Sequence, residues 1–151
     1  MIIKSYQINQ INPKIHNILL FYGKNEGLKN EIIKNIIRDK KNINNYDEKE
    51  ILENEYNFVE NILTKSLFDD EKIIIIKRST DKILKVIESL NSKKLEDITI
   101  IINADNLEKK SKLRSFFEKN KETICIPFYP DNDQTLSKLA YDFLKGRKIS
   151  I

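Results

Sequence analysis

Short, uninterrupted apolar runs alternate with stretches of helical period along most of this chain. The first run, Ile18-Leu19-Leu20-Phe21-Tyr22, has the pattern of a buried strand and is stopped by Gly23. From Glu26 to Arg38, Leu28, Ile32, Ile33, Ile36 and Ile37 recur at the spacing of one helical face. A weaker extended piece follows at Ile43 to Tyr46. Tyr56, Val59 and Leu63, spaced by three and four, mark a second helix, whose start is open because Glu50 to Glu55 fits either state. Lys72 to Lys77 carries the four isoleucines Ile73, Ile74, Ile75 and Ile76, β-branched at every apolar position. A run apolar on both faces predicts a central strand covered on both sides.

Ser79, Thr80 and Asp81 are candidate N-caps for a helix with the face Ile83, Leu84, Ile87 and Leu90. Ile98 to Ile102 predicts another two-sided strand, ending in Asn103-Ala104-Asp105. A short helix carrying Leu113, Phe116 and Phe117 follows. After it comes a strand from Thr123 to Ile126, which Pro127 ends by removing a ladder donor. Leu136, Leu139, Ala140, Phe143 and Leu144 predict a last helix, with Asp133 as its N-cap and Gly146 as its stop. Strand and helix alternate through most of the chain, so the expected fold class is α/β: a parallel sheet of about five strands with helices on both faces. There is no internal repeat and no low-complexity linker.

Length and composition narrow this picture rather than change it. The chain has 151 residues, the size of one domain with a sizeable core. Lys and Arg number 27 against 23 Asp and Glu, a net charge of +4. These charges are spread along the chain instead of clustered, so composition gives little support for DNA contact. The single cysteine, Cys125, lies within the apolar run Ile124-Cys125-Ile126, which predicts a buried, inert thiol. It also rules out an intrachain disulfide and a cysteine-based metal cluster. No apolar run approaches the ~18 residues of a membrane span. The start, Met1-Ile2-Ile3-Lys4-Ser5, lacks the features of a signal peptide, and a cytoplasmic protein is expected.

Candidate chemistry centres first on the turn Gly23-Lys24-Asn25-Glu26-Gly27-Leu28-Lys29-Asn30, where a phosphate-binding loop would sit. Such a loop needs G-x-x-x-x-G-K-[ST]: glycines admit the phosphates, the lysine reaches the β and γ oxygens, and the hydroxyl holds Mg²⁺. Counting from Gly23, Leu28 takes the second glycine position and Gly27 falls one place early. Lys29 stands where the lysine belongs, and Asn30 replaces the hydroxyl. Glu26 adds a negative charge where phosphates would bind. Lys77 and Arg78 follow Ile76 where acids would be needed to hold Mg²⁺ and orient water. Asn103 and Asp105 end the next strand, a position that suits a ligand and equally an ordinary turn. His16 is the only histidine and is expected at the surface or a strand edge, with no catalytic partner. Lys109, Lys110, Lys112 and Arg114 around one helix start could touch phosphate or form a solvated face. No catalytic centre and no metal or cofactor site is expected.

The stretch Ser66-Leu67-Phe68-Asp69-Asp70-Glu71-Lys72 puts two large apolar side chains at a turn beside three acids. Burying a Leu or a Phe stabilises by about 1.5 to 3 kcal/mol. Leu67 and Phe68 therefore either cap the core or wait for a partner, and their residue types alone do not decide between the two.

This stretch, the strand and turn Leu19 to Leu28, Ile98 to Leu113, and the closing segment Leu136 to Ile149 together resemble the delta subunit family of bacterial DNA polymerase III. Order and spacing match across nearly the whole chain. The resemblance implies a clamp-loader subunit with an AAA+-like core, a degenerate nucleotide site at Gly23, Gly27, Lys29 and Asn30, and no ATP hydrolysis of its own. It makes Ser66, Leu67 and Phe68 the element that inserts into the sliding clamp, the beta subunit, and favours the opened ring. The other implied partners are the gamma or tau and delta prime loader subunits, with primed DNA met through the complex. Such a subunit belongs to a DNA-directed DNA polymerase, a nucleotidyltransferase, without being the catalytic chain. Residues 1–145 would form the clamp-binding domain and 146–151 the start of a connection to a lid domain, so the sequence looks truncated. Two further readings stay open: a divergent P-loop NTPase using Lys29, and a basic α/β nucleic-acid-binding domain.

Overall fold

The computed structural model describes residues 1–12, 15–64, 71–93 and 95–129. Five parallel strands form one sheet in the order β2-β3-β4-β1-β5. They are β1 (Ile18–Tyr22), β2 (Asn42–Asp47), β3 (Lys72–Ser79), β4 (Ile98–Ala104) and β5 (Thr123–Pro127). The α-helices are α1 (Glu26–Ile37), α2 (Glu48–Glu53), α3 (Glu55–Leu63), α4 (Leu84–Asn91) and α5 (Lys112–Lys119). Two 3-10 segments, Ser5–Gln10 and Asp81–Ile83, complete the described elements. The helix expected at 136–144 and its stop at Gly146 lie outside the described residues.

The continuous apolar strands are buried on both faces, as their composition requires. Alternate residues go to opposite sides. Leu20, Tyr22, Ile74, Ile76, Ile100 and Ile102 pack under α2 to α5, against Ile51, Phe58, Ile62, Ile87, Leu90 and Phe117. Leu19, Phe21, Ile73, Ile75, Ile101 and Ile124 pack on the other face with Leu28, Ile32 and Ile33 of α1 and with Ile3 and Phe128. The helices therefore cover both faces. β2 is the polar member, NINNYD, and takes one edge of the sheet next to β3.

The opposite edge, along β5, is closed by the first residues of the chain. Ile3 donates its N–H to the Cys125 carbonyl (3.0 Å), and Cys125 donates to the Met1 carbonyl (2.9 Å). The Met1 ammonium donates to three carbonyls, those of Phe117 (2.7 Å), Asn120 (2.6 Å) and Thr123 (2.8 Å). Burial pulls its pKa below the ordinary value, and the three acceptors compensate that burial, since an ammonium has three N–H donors.

Two expectations need correction. The stretch Glu50 to Glu55 is helical on both sides of a break at Asn54, whose φ of −153° ends α2 and whose side chain accepts from the Asn57 amide to begin α3. The buried face of α3 is Phe58 and Ile62, while Tyr56 is 75% exposed and Val59 and Leu63 are half-buried. The Phe58 ring packs edge-on against Tyr46 of β2 at 5.0 Å, which fixes the rotation of the helix. His16, expected at the surface or a strand edge, stands two residues before β1 and is buried. Its Nδ1 accepts from the Asn12 amide (3.0 Å), and burial lowers its pKa.

Candidate functional site

At the C-terminal ends of the strands, the turn between β1 and α1 is held by backbone from two other strands. Gly23 has a φ of +119°, and a side chain there would run into the Phe128 backbone, so both conformation and space demand glycine. Gly23 donates its N–H to the Asp105 carbonyl (3.1 Å), and Phe128 donates to the Tyr22 carbonyl (2.7 Å). Asn25 caps α1 by accepting from the Leu28 amide (3.2 Å), and its side-chain amide donates to the Tyr129 carbonyl (3.1 Å). Gly27 differs from Gly23: it lies in α1 with room for a side chain. Asn30 is exposed.

Lys29 is fully buried. Its Nζ donates to the Ala104 carbonyl at the end of β4 (2.9 Å) and is ion-paired with Glu26 Oε1 (2.5 Å). Of the four residues read as a degenerate phosphate loop, Gly23 and Lys29 thus face the ends of β4 and β5, whereas Gly27 and Asn30 lie on the outer side.

Neighbouring strand ends are also joined by charged side chains. Past Ile76 the register of β3 shifts, and Arg78, at φ +55°, makes a bidentate pair with Asp47 at the end of β2 (2.6 and 3.1 Å). Lys77 is exposed. The buried Glu48 carboxylate accepts from the Thr80 amide (2.5 Å) and hydroxyl (2.7 Å). Asp81 accepts from the Ser111 hydroxyl (2.5 Å) and the amides of Lys112 and Leu113. That hydroxyl bond holds its carboxyl below the ordinary carboxylate range, with the two amides adding to the effect.

The basic cluster divides in two. Lys109, Lys110 and Lys112 are exposed, with Lys110 near Glu108 (3.3 Å). Arg114 does not join that solvated face. Its guanidinium stacks over the Tyr22 ring at 5.1 Å, pairs with Glu118 (3.0 Å) and donates to the Leu107 carbonyl (2.9 Å). Asn103 is half-buried and Asp105 exposed, with the Asp105 carbonyl serving Gly23. Cys125 is buried, and burial pushes its thiol up to about 12, which makes it inert. Among the described residues no group of three or more His, Cys, Asp or Glu could hold a metal ion. No described helix is long and apolar enough to cross a membrane.

Ser66, Leu67 and Phe68 lie outside the described residues, as do Asp69 and Asp70. Their flanks are anchored. Thr64 closes α3 by donating its amide and hydroxyl to the Glu60 carbonyl (2.9 and 2.7 Å). Glu71 pairs with Lys40 (2.7 Å), and Lys72 enters β3 with its amide on the Asp97 carbonyl (2.8 Å). The functions of Asp81, Glu48 and Arg114 were not visible in local sequence, because each serves an element distant along the chain.

The sheet order, read as β5-β1-β4-β3-β2, defines an α/β protein with a five-stranded parallel sheet, and the turn after its internal strand β1 stands where a phosphate loop would sit, with other residues in it. The family described as DNA polymerase III, delta subunit, matches residues 19–126, and the chain belongs to that family. Its fold is similar to that of the Bacillus subtilis DNA clamp loader delta protein (YqeN), with a TM-score of 0.69 at 15% identity. That match covers 90% of this chain and 45% of the Bacillus chain, so the sequence spans less than half of its relative's length. No curated protein matches the sequence.

Proposed function

We propose that this chain is the clamp-binding domain of a clamp-loader delta subunit, which binds the sliding clamp and favours its opened form without hydrolysing ATP. The observation that carries this reading is the corner after β1, where a family member keeps the phosphate-loop lysine but pairs it with its own Glu26. A domain with that corner occupied acts through a surface instead. Ser66, Leu67 and Phe68 between α3 and β3 supply the apolar surface. Filling a pocket on the clamp with two such anchors would contribute roughly 3 to 6 kcal/mol by area transfer, the scale of an interface hot spot. Asp69, Asp70 and Glu71 keep the pair from nonspecific association. Residues 1–145 form this domain and 146–151 lead toward a lid. The gamma or tau and delta prime subunits would bring it to primed DNA.

The test is binding of the 151-residue chain to a sliding clamp. Leu67→Ala with Phe68→Ala should weaken it by at least ~2 kcal/mol, roughly thirtyfold, with the melting temperature unchanged. Equal affinity for the double variant rejects the reading. Calorimetry with ATP and Mg²⁺ should give no binding heat.

A further inference from the structure

We propose that Glu26 is a built-in counter-anion, whose carboxylate occupies on Lys29 the place that a phosphate group takes in a working loop, so that the chain closes its own nucleotide corner. This rests on the reading that the domain takes no nucleotide, and supplies its mechanism.

An i,i+3 pair on a helix is ordinarily a weak surface contact between two solvated side chains. This one is asymmetric. The Lys29 side chain is 0% exposed and that of Glu26 57%. A buried ammonium must have its charge compensated, and the Ala104 carbonyl supplies only a dipole. Glu26 supplies the charge, entering from the solvent side, as a phosphate would.

Five amides in and around this turn also find acceptors within the chain. Gly23 donates to Asp105, Asn25 to Phe128, Glu26 to the Lys24 carbonyl and Lys29 to the Asn25 carbonyl. Leu28 donates to the Asn25 side chain. In a working loop such amides approach the phosphates; here the chain provides their acceptors. Lys29 thus stays folded inward whether or not nucleotide is present, and the corner holds one conformation.

The prediction is chemical rescue of Glu26→Ala. The variant melts below the wild-type chain. Sodium phosphate restores the larger part of the loss, because an anion that binds only the folded state stabilises it. Sodium chloride at matched ionic strength does not, and the wild-type chain responds alike to both salts. Adding Lys29→Met to Glu26→Ala abolishes the phosphate effect. The proposal is overturned if Glu26→Ala melts like wild type, if chloride rescues as well as phosphate, or if rescue survives Lys29→Met. Should Glu26→Ala not fold, Glu26→Gln keeps the volume and removes only the charge. It should bind inorganic pyrophosphate roughly tenfold or more tightly than wild type, the scale of one charge-assisted hydrogen bond. Equal affinity overturns the proposal there too. ATP binding by the wild-type chain would overturn the nucleotide-free reading itself, whereas failed rescue with a silent wild type overturns only the role of Glu26.

Discussion

Asp81 begins a 3-10 turn, yet its carboxylate serves the start of α5 by accepting from the Ser111 hydroxyl and the Lys112 and Leu113 amides. The charged form is favoured by these donors, so folding depresses the pKa below its ordinary value of 3.8. A depressed carboxylate stabilises the fold fully above the unfolded-state pKa and loses that contribution as pH falls through the lower folded value. Asp81→Asn, which keeps the shape and removes the charge, should therefore cost about 1 kcal/mol at neutral pH, the margin by which a hydrogen bond to a charged acceptor exceeds a neutral one. Urea titrations should show the gap to wild type closing only below pH 3.8; a gap independent of pH would refute the assignment. The sequence marked Asp81 as a cap but for the wrong helix. Capping preferences are local, whereas this contact depends on β3 and β4 lying side by side. Lys29 was legible in the opposite sense. Its place in the G-x-x-x-x-G-K frame and the intrusive charge of Glu26 could both be read, but their direct pairing and the burial of Lys29 depend on the turn's geometry.

Among the elements, legibility followed how completely each is enclosed. β1, β3 and β4 sit inside the sheet between helical layers, and continuous Ile and Leu runs are the direct consequence. The nine-residue helix α3 offered two apolar spacings, Tyr56-Val59-Leu63 and Phe58-Ile62. Period alone cannot rank them, and packing of Phe58 on Tyr46 selects the second. The closure of β5 by the first residues has no sequence signature, because its main donors and acceptors are a chain end and backbone carbonyls. It does have a measurable consequence. Acetylating the Met1 amine leaves one N–H for three carbonyls and removes the charge. Bonds to a charged group contribute roughly 1.5 to 3 kcal/mol each, so the acetylated chain should lose protection locally. Amide exchange at Ile3 and Cys125, which tie residues 1–3 to β5, should rise by roughly tenfold or more. Exchange in the buried centre of β3 should change far less. Unchanged rates at Ile3 and Cys125 would show that the strand holds without its ammonium.

For the molecule as a whole, the two ends of the sheet have different work in the proposed function. The strands' C-terminal ends are stitched together by Lys29–Ala104, Arg78–Asp47, Glu48–Thr80 and Asp81–Ser111. Such a fixed rim suits a lever that must transmit force without changing shape. Helix α3 returns across the sheet to the segment carrying Leu67 and Phe68, which joins it to β3. The alternation of strands and helices made this architecture legible, while the role of Leu67 and Phe68 was not, since two adjacent apolar residues in the sequence suit a core as well as an interface. A domain that favours the opened clamp must, by thermodynamic linkage, bind the opened form more tightly than the closed ring. The ratio of the two affinities equals the bias it imposes on opening. A clamp variant unable to close, such as one held monomeric by changes at its own ring interface, provides the opened form. The chain should bind it more tightly than the intact ring by roughly fivefold or more, the lower end of typical coupling energies. The Leu67→Ala, Phe68→Ala variant should weaken both affinities together if the pair is only an anchor. If the pair also drives opening, the ratio should fall toward one as well. Equal affinity of the wild-type chain for the two clamp forms would leave it a tether and remove ring opening from the proposal.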